Sequence, residues 1–117
     1  MWKSADSYLD LDKWISWDEA KTYVQGLNRL QFAGYRDWRM PTRKEAQGIY
    51  DASSPVTDNY GDIIFLAKGF PAGAGLTCWT KTLNKSDKGL AVRFHFYNGD
   101  YKWHQLGLRS HGVRAVR

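Results

Sequence analysis

The chain has 117 residues, including six Trp, seven Tyr, five Phe and a single Cys, and its formal net charge is +5 at pH 7. This length suffices for one domain with a hydrophobic core but not for two. No apolar stretch approaches the roughly 20 residues of a membrane-spanning helix, and one cysteine cannot form a disulfide within the chain. The composition therefore predicts a soluble globular domain with a largely aromatic core.

The positive charge is concentrated in the last third of the chain. Residues 1–80 carry nine Lys and Arg against ten Asp and Glu, whereas residues 81–117 carry eight against two. This asymmetry favours a polyanionic or acidic partner for the C-terminal segment, and an ordinary solvated surface is the alternative. Residues 1–12 have neither a basic start nor an apolar segment, so we identify no signal peptide in the chain.

Two capping boxes mark the starts of two predicted helices. Residues 16–19, Ser-Trp-Asp-Glu, begin a helix that we expect to end at about Arg29 or Leu30. Residues 42–45, Thr-Arg-Lys-Glu, begin a shorter helix that we expect to end at about Ala52. The predicted buried stripes are Trp17, Ala20, Tyr23, Val24, Leu27 and Leu30 in the first helix and Ala46, Ile49 and Tyr50 in the second.

The second half of the chain is predicted to be a long loop followed by strands. Residues 53–77 are rich in Gly, Pro, Asp and Asn, with Ile63–Leu66 as the only apolar anchor. From residue 78 onward the pattern becomes that of strands. The strands are expected at Trp79–Leu83, Leu90–Tyr97, Asp100–Leu106 and Gly112–Arg117.

Asn98-Gly99, between two alternating runs, is the strongest turn signal. It predicts a two-residue hairpin turn with positive φ at both positions, which would place Tyr97 opposite Asp100 and His95 opposite Lys102. Such a hairpin buries one face and exposes the other. The buried face is predicted to contain Val92, Phe94, Phe96, Tyr101 and Trp103, and the outward face Arg93, His95, Tyr97, Asp100, Lys102 and His104.

The run Gly34–Thr42, followed by Glu45, resembles the signature of the Lcl C-terminal-like family of bacterial domains, formerly of unknown function. The resemblance extends to the helix from residue 17, to Cys78–Lys81 and to the ending Val113–Arg117. We give the matching residues a structural role, with Trp38 as a core plug whose flanking charges hold the loop. These residues are Trp17, Asp37, Trp38, Arg39, Pro41, Thr42, Glu45, Trp79 and Arg114.

The resemblance implies a C-type-lectin-like fold, distantly related to that of the formylglycine-generating enzymes. The expected architecture is α+β, with two helices packed on a small twisted antiparallel sheet and a long irregular loop region. Residues 1–117 would form a single domain that lacks or replaces the N-terminal strand common in the family.

Catalytic and metal-binding readings have little support. Cys78 lacks the second cysteine that formylglycine-generating chemistry needs, and we expect it to be a small buried residue. His95, His104 and His111 lie in the last quarter of the chain. Arg93 and Lys102 on the same hairpin face would repel a metal ion, so we expect these histidines to be ordinary surface residues. The sequence also lacks the motifs of calcium-dependent lectins. We therefore predict no catalytic residues, no metal site and no cofactor.

The basic outward face of the hairpin is the best functional candidate, because cations and aromatic rings suit sulphated sugars. The alternative is an ordinary polar sheet face. The resemblance implies a non-enzymatic adhesion module for a sulphated glycan or a cell-surface protein, located outside the cell or on its surface and able to trimerise. The candidate ligand-binding residues are Arg93, His95, Tyr97, Lys102, His104 and Arg109.

Two other functions are compatible with the sequence. Retroelement-diversified or phage-type receptor-binding proteins of related fold also have variable residues ahead of a similar constant ending. Nucleic-acid binding agrees with the sequence pI of about 9.4. The predicted register leaves only Tyr97 as an exposed stacking platform, which makes nucleic acid the weakest of the three partners.

Overall fold

Three helices and two small antiparallel sheets make up the structure, a computed structural model that describes residues 1–117. The predicted α+β class is confirmed, and the expectation of two helices is wrong by one. The helices are α1 (Ser7–Leu11), α2 (Trp17–Arg29) and α3 (Arg43–Ile49). The strands are β1 (Pro55–Thr57), β2 (Ile63–Phe65), β3 (Thr77–Leu83), β4 (Leu90–His95) and β5 (Asp100–Gln105), paired as β1-β2 and β3-β4-β5. None of the helices is long and apolar enough to cross a membrane.

The helix starts agree with the capping boxes, and the extra helix is too short for periodicity to reveal it. In α2 the Ser16 hydroxyl accepts from the Glu19 amide at 3.2 Å, and the Glu19 carboxylate accepts from the Ser16 amide at 3.0 Å. The five-residue α1 is capped at its N-terminus by Asp6, whose carboxylate accepts from the Leu9 amide at 2.9 Å. Capping is local chemistry, so the sequence alone predicted the boxes of α2 and α3, whereas it did not predict α1.

The end of α2 at Arg29 was predicted correctly, whereas the end of α3 was not. The prediction that α3 reaches Ala52 is wrong: Tyr50 is already extended, and the Ile49 carbonyl accepts from the Ala67 amide at 2.8 Å. The loop region therefore takes over a carbonyl group near the end of the helix. Leu30 is 83% exposed, not buried, because it follows the last residue of α2.

Residues 53–77 form a loop region that contains the small β1-β2 sheet. Val56 pairs with Ile64 at its centre. The predicted apolar anchor is confirmed, since Ile64 and Leu66 are both buried. Asp58 organises the connection between the two strands, because one carboxylate oxygen accepts from the amides of Tyr60 and Asp62 at 2.8 and 2.9 Å.

The β4-β5 hairpin has a register two residues away from the prediction. His95 pairs with Asp100 and Arg93 with Lys102, so residues 96–99 form a four-residue loop. Gly99 has positive φ, but Asn98 does not. Phe96 does not pair with β5. Its amide donates to the Leu76 carbonyl at 2.8 Å, and its carbonyl accepts from the Phe65 amide at 2.9 Å. A shift of two residues keeps the paired side chains of β4 and β5 on the predicted sides of the sheet.

The edge position of β5 exposes side chains that we expected in the core. Phe94 and Phe96 are fully buried, but Tyr101 and Trp103 are 43% and 40% exposed. No further strand pairs with the outer edge of β5. The predicted division of the hairpin into a buried and an exposed face is therefore correct for β4 and wrong for β5.

The C-terminal segment does not form the predicted strand. It makes isolated bridges instead, with Gly112 parallel to Cys78, and Val116 antiparallel to both Arg39 and Trp2. Because the partners lie in different parts of the chain, no continuous ladder forms. The segment ties the start of the chain to the sheet, and the Arg117 amide donates to the Met1 carbonyl at 2.9 Å.

Candidate functional site

A cleft of about 420 Å³ lies beside the outward face of the hairpin. We call it the histidine-arginine cleft. Its lining includes three of the six candidate residues, Arg93, His95 and Arg109. Two aromatic residues that we did not predict, Trp14 and Tyr60, line it as well.

The other three candidate residues lie outside this cleft. Tyr97 is 60% exposed and lines a neighbouring cleft of about 460 Å³, which also contains Asp58 and Asp62. Lys102 is exposed on β5 opposite Arg93. His104 is half-buried, and its Nδ1 lies 2.9 Å from Nε2 of His111, which lines the histidine-arginine cleft. The two carboxylates make the neighbouring cleft less favourable for an anion.

The aromatic wall of the cleft joins two distant parts of the chain. The Trp14 indole N–H donates to the Tyr60 hydroxyl at 3.2 Å, and the Tyr8 ring lies 4.5 Å from the Trp14 ring. The backbone packs closely against Trp14 at Gly75, where a Cβ atom would come within 2.7 Å of the ring. Tyr60 itself is 66% exposed. The Trp14 and Tyr60 rings lie 6.4 Å apart with an angle of 50° between their planes, so the wall offers two aromatic faces to a ligand.

His111 lines the cleft but is buried, so it is not the surface residue that we expected. It is 5% exposed, and its backbone carbonyl accepts from the Ile15 amide at 2.8 Å, which holds it inside the fold. Its two ring nitrogens lie 2.8 Å from the Thr77 hydroxyl and 2.9 Å from His104 Nδ1. Burial, followed by the neighbouring His104, lowers the pKa of His111 to about 3. His111 is therefore neutral at physiological pH.

His95 lies half-buried in the cleft and acts as a neutral donor there. Its Nδ1 accepts from the Tyr97 amide at 3.1 Å, so the neutral ring carries its proton on Nε2. Burial, and then the charge of Arg93, lowers the pKa of His95 below its ordinary value. The same two causes lower the pKa of His104.

The two arginines of the cleft differ in how their charges are balanced. Arg109 Nε donates to the Glu19 carboxylate at 2.8 Å, and Glu19 belongs to the capping box of α2. The Ser16 amide, followed by Arg109, lowers the pKa of Glu19 to about 2. Arg93 forms no salt bridge, and its buried Nε has no hydrogen-bond partner. Arg93 therefore supplies the positive charge of the cleft that no salt bridge balances.

The signature loop, which comprises residues 34–42, makes its contacts within the fold. Trp38 is 3% exposed, and its backbone amide and carbonyl both bond to the Asn28 side chain, at 2.7 and 2.9 Å. Asp37 pairs with Arg117 at 2.7 Å. Arg39 forms a two-pronged pair with the Glu45 carboxylate of α3 at 2.7 Å. These contacts hold irregular backbone, as charge-assisted bonds do.

The remaining signature residues are also bonded within the fold. Trp17 donates its indole N–H to the Thr80 carbonyl at 2.9 Å, and Pro41 is fully buried. The Trp79 indole N–H donates to the Ile15 carbonyl at 2.9 Å. Buried Trp79 therefore links β3 to the segment between α1 and α2.

Arg114 is a fully buried cation, with its guanidinium 5.5 Å from the Phe70 ring and 5.1 Å from the Phe96 ring. Burial lowers the pKa of Arg114. Its neighbour Cys78 is a free, buried cysteine, as expected, and burial raises the pKa of that thiol to about 12. A thiol in this state is a poor nucleophile.

No group of three or more His, Cys, Asp or Glu side chains in residues 1–117 is arranged to hold a metal ion. The His104–His111 contact is a hydrogen bond that already uses one nitrogen of each ring. The cleft is therefore best described by its arginines, its neutral histidine and its aromatic wall.

These features define a small α+β domain with a partly cationic, partly aromatic cleft. The chain belongs to the Lcl C-terminal domain family, whose model matches residues 1–117. This finding confirms the resemblance seen in the sequence. Comparisons with the curated proteins and with the solved structures gave no match.

Proposed function

We propose that this domain is a non-enzymatic adhesion module with a C-type-lectin-like fold that binds a sulphated glycan in the histidine-arginine cleft. The observation that carries the proposal is the juxtaposition of Arg93, Arg109 and His95 with the wall formed by Trp14 and Tyr60. Arginine binds sulphate groups through charge-assisted hydrogen bonds, and flat aromatic rings pack against sugar rings. One surface thus offers both kinds of contact.

The charge of the cleft favours a sulphated ligand over a neutral one. Arg93 forms no salt bridge, and its buried Nε has no partner in the protein. Burial lowers the pKa of Arg93, although the charge of Asp100 acts to raise it. Lys102, opposite Arg93 on β5, extends the positive surface beyond the cleft. An acidic protein on a cell surface would meet the same charges and is the second candidate partner.

The family supports a role outside the cell or on its surface. Trimerisation, which the family also suggests, would strengthen binding to a repetitive glycan by presenting several clefts at once. A phage-type receptor-binding role uses the same kind of exposed surface and is the main alternative. Nucleic acid is a further alternative, and it would show the strongest dependence on salt.

The test is retention on an immobilised sulphated glycan across a salt gradient. An Arg93→Gln, Arg109→Gln double variant removes two charges from the cleft. A matched control, Lys85→Gln with Lys88→Gln, removes two charges from exposed positions outside it. We expect the cleft variant to elute at clearly lower salt and the control to elute near the wild type. Circular dichroism checks that all three are folded.

Equal losses in the two double variants would show that net charge alone causes retention, and would contradict a site in this cleft. A third variant, Tyr60→Ser, tests the aromatic wall without changing charge. Weaker retention of this variant is expected, because Tyr60 is exposed and offers its ring to the ligand. Tighter binding to single-stranded nucleic acid than to the glycan would favour the nucleic-acid alternative.

A further inference from the structure

A third cleft, of about 260 Å³, lies between α2 and the signature loop. We call it the tryptophan cleft. Its apolar lining consists of Trp17, Val24, Trp38 and Met40, and its charged lining includes Lys21 and Lys81. We infer that the tryptophan cleft binds a small planar molecule that carries one anionic group, of the class of aromatic carboxylates.

The wall on the α2 side follows from helix geometry. Trp17, Lys21 and Val24 recur at spacings of four and three residues, so their side chains lie on one face of the helix. The Trp17 indole N–H donates to the Thr80 carbonyl at 2.9 Å, which fixes the ring. This wall is therefore in place before any ligand arrives.

The opposite wall is held equally firmly. Trp38 donates its indole N–H to the Phe32 carbonyl at 3.0 Å, and the Asn28 side chain bonds the Trp38 backbone on both sides. Met40, which follows in the same loop, is 5% exposed. A preformed apolar cleft loses little conformational entropy when it binds a rigid ring.

The charges around the tryptophan cleft select an anion. No Asp or Glu lines it. Arg39 lines it too, but its charge is compensated by the two-pronged pair with Glu45 at 2.7 Å. Lys21 and Lys81 form no salt bridge, and the Lys21 ammonium lies 5.7 Å from the centre of the Trp17 ring. Two free cations beside an apolar floor match a ring that bears a carboxylate.

The size of the cleft limits its ligand. A volume of about 260 Å³ lies just below the roughly 300–1,000 Å³ of typical drug-sized sites. One or two rings fit, whereas an extended glycan chain does not. The tryptophan cleft shares no lining residue with the histidine-arginine cleft, so this inference does not depend on the proposed function.

The test is a heteronuclear NMR titration with indoleacetate as the probe and neutral indoleacetamide as its matched control. We expect indoleacetate to shift the indole N–H signals of Trp17 and Trp38, with a Kd on the order of 1 mM or below. The amide is expected to bind roughly fivefold more weakly, because it lacks the charge that the lysines attract. The other four indole signals serve as internal references.

A Lys21→Gln, Lys81→Gln double variant tests the cations, and Lys85→Gln with Lys88→Gln is the control of equal charge change. We expect indoleacetate to bind roughly fivefold more weakly to the first variant and with unchanged affinity to the second. All four lysines are exposed, so neither variant threatens the fold. Absence of shifts at Trp17 and Trp38, equal affinity for acid and amide, or equal weakening in both variants would each overturn the inference.

Discussion

Replacement of Glu45 by Gln tests the contact that joins the signature loop to α3. One Glu45 carboxylate oxygen accepts from the Thr42 amide at 2.9 Å and from Arg39 Nη1 at 2.7 Å, and the other accepts from Arg39 Nη2 at 2.7 Å. The Arg39 hydrogen bonds are the largest cause that lowers the pKa of Glu45 to about 2. Glu45→Gln keeps the shape of the side chain and removes its charge.

The expected loss at neutral pH is about 1 kcal/mol. A partly exposed ion pair contributes about 0.2–1 kcal/mol, and a capping interaction contributes roughly 0.5–2 kcal/mol, part of which glutamine preserves. The Arg39 and Glu45 side chains are 41% and 31% exposed. Solvent screening therefore makes the full lowering of the Glu45 pKa a poor measure of stability.

The loss should disappear in acid. The pKa of Glu45 is lower in the folded protein than in the unfolded chain, so the stabilisation is complete above about 4.5 and is lost as the pH falls towards 2. Urea unfolding, followed by tryptophan fluorescence between neutral pH and about pH 2, measures the difference between wild type and variant. Asp62→Asn, at an exposed carboxylate without a salt bridge, is the control.

Two results would refute the reasoning. A difference that stays constant down to the lowest pH would show that side-chain shape, and not charge, stabilises the junction. A difference of less than a few tenths of a kcal/mol at neutral pH would show that the pair is only a surface contact of no consequence.

Two further predictions concern the hairpin loop and the buried histidine. Gly99→Ala should destabilise the protein by roughly 1–3 kcal/mol, measured by thermal unfolding, because Gly99 has φ of 76° and a Cβ atom would lie 2.9 Å from the Tyr50 ring. His111→Gln should flatten the dependence of Tm on pH: the pKa of His111 is about 3 in the folded state and ordinary in the unfolded chain, so wild type loses stability as the pH falls below about 6.5. Parallel Tm curves would contradict this.

The sequence predicted the beginnings of α2 and α3 and the end of α2, but not the end of α3. Each start depends on atoms within four residues, as in the bond between the Thr42 hydroxyl and the Glu45 amide at 3.1 Å. The end of α3 depends on Ala67, whose amide takes the Ile49 carbonyl. No local pattern records a partner that lies so far along the chain.

The predicted register of the hairpin was wrong for a similar reason. Asn98-Gly99 favours a two-residue turn when only the hairpin is considered. Phe96 instead bonds to Leu76 and Phe65 in the loop region, which lengthens the turn to four residues. The predicted faces survived only because the register moved by an even number of residues.

The candidate site was half predictable. The local charge and the alternation of side chains along the strand predicted Arg93 and His95 as site residues. Both patterns can be recognised in a short segment of sequence. Nothing in the sequence brings Trp14 to Tyr60, 46 positions away, since that contact arises when the loop region folds back over the start of the chain. The burial of His111 likewise depends on its bond to Ile15.

The two capping boxes link the scaffold to the histidine-arginine cleft and to the tryptophan cleft. Glu19 completes the box of α2 and neutralises Arg109, and Glu45 completes the box of α3 and neutralises Arg39. Each cleft thus contains an arginine whose charge is already balanced by the scaffold. Anion binding must then depend mainly on the cations that remain free, above all Arg93 in the histidine-arginine cleft. Between the two arginines of that cleft, the larger share of glycan retention should therefore belong to Arg93.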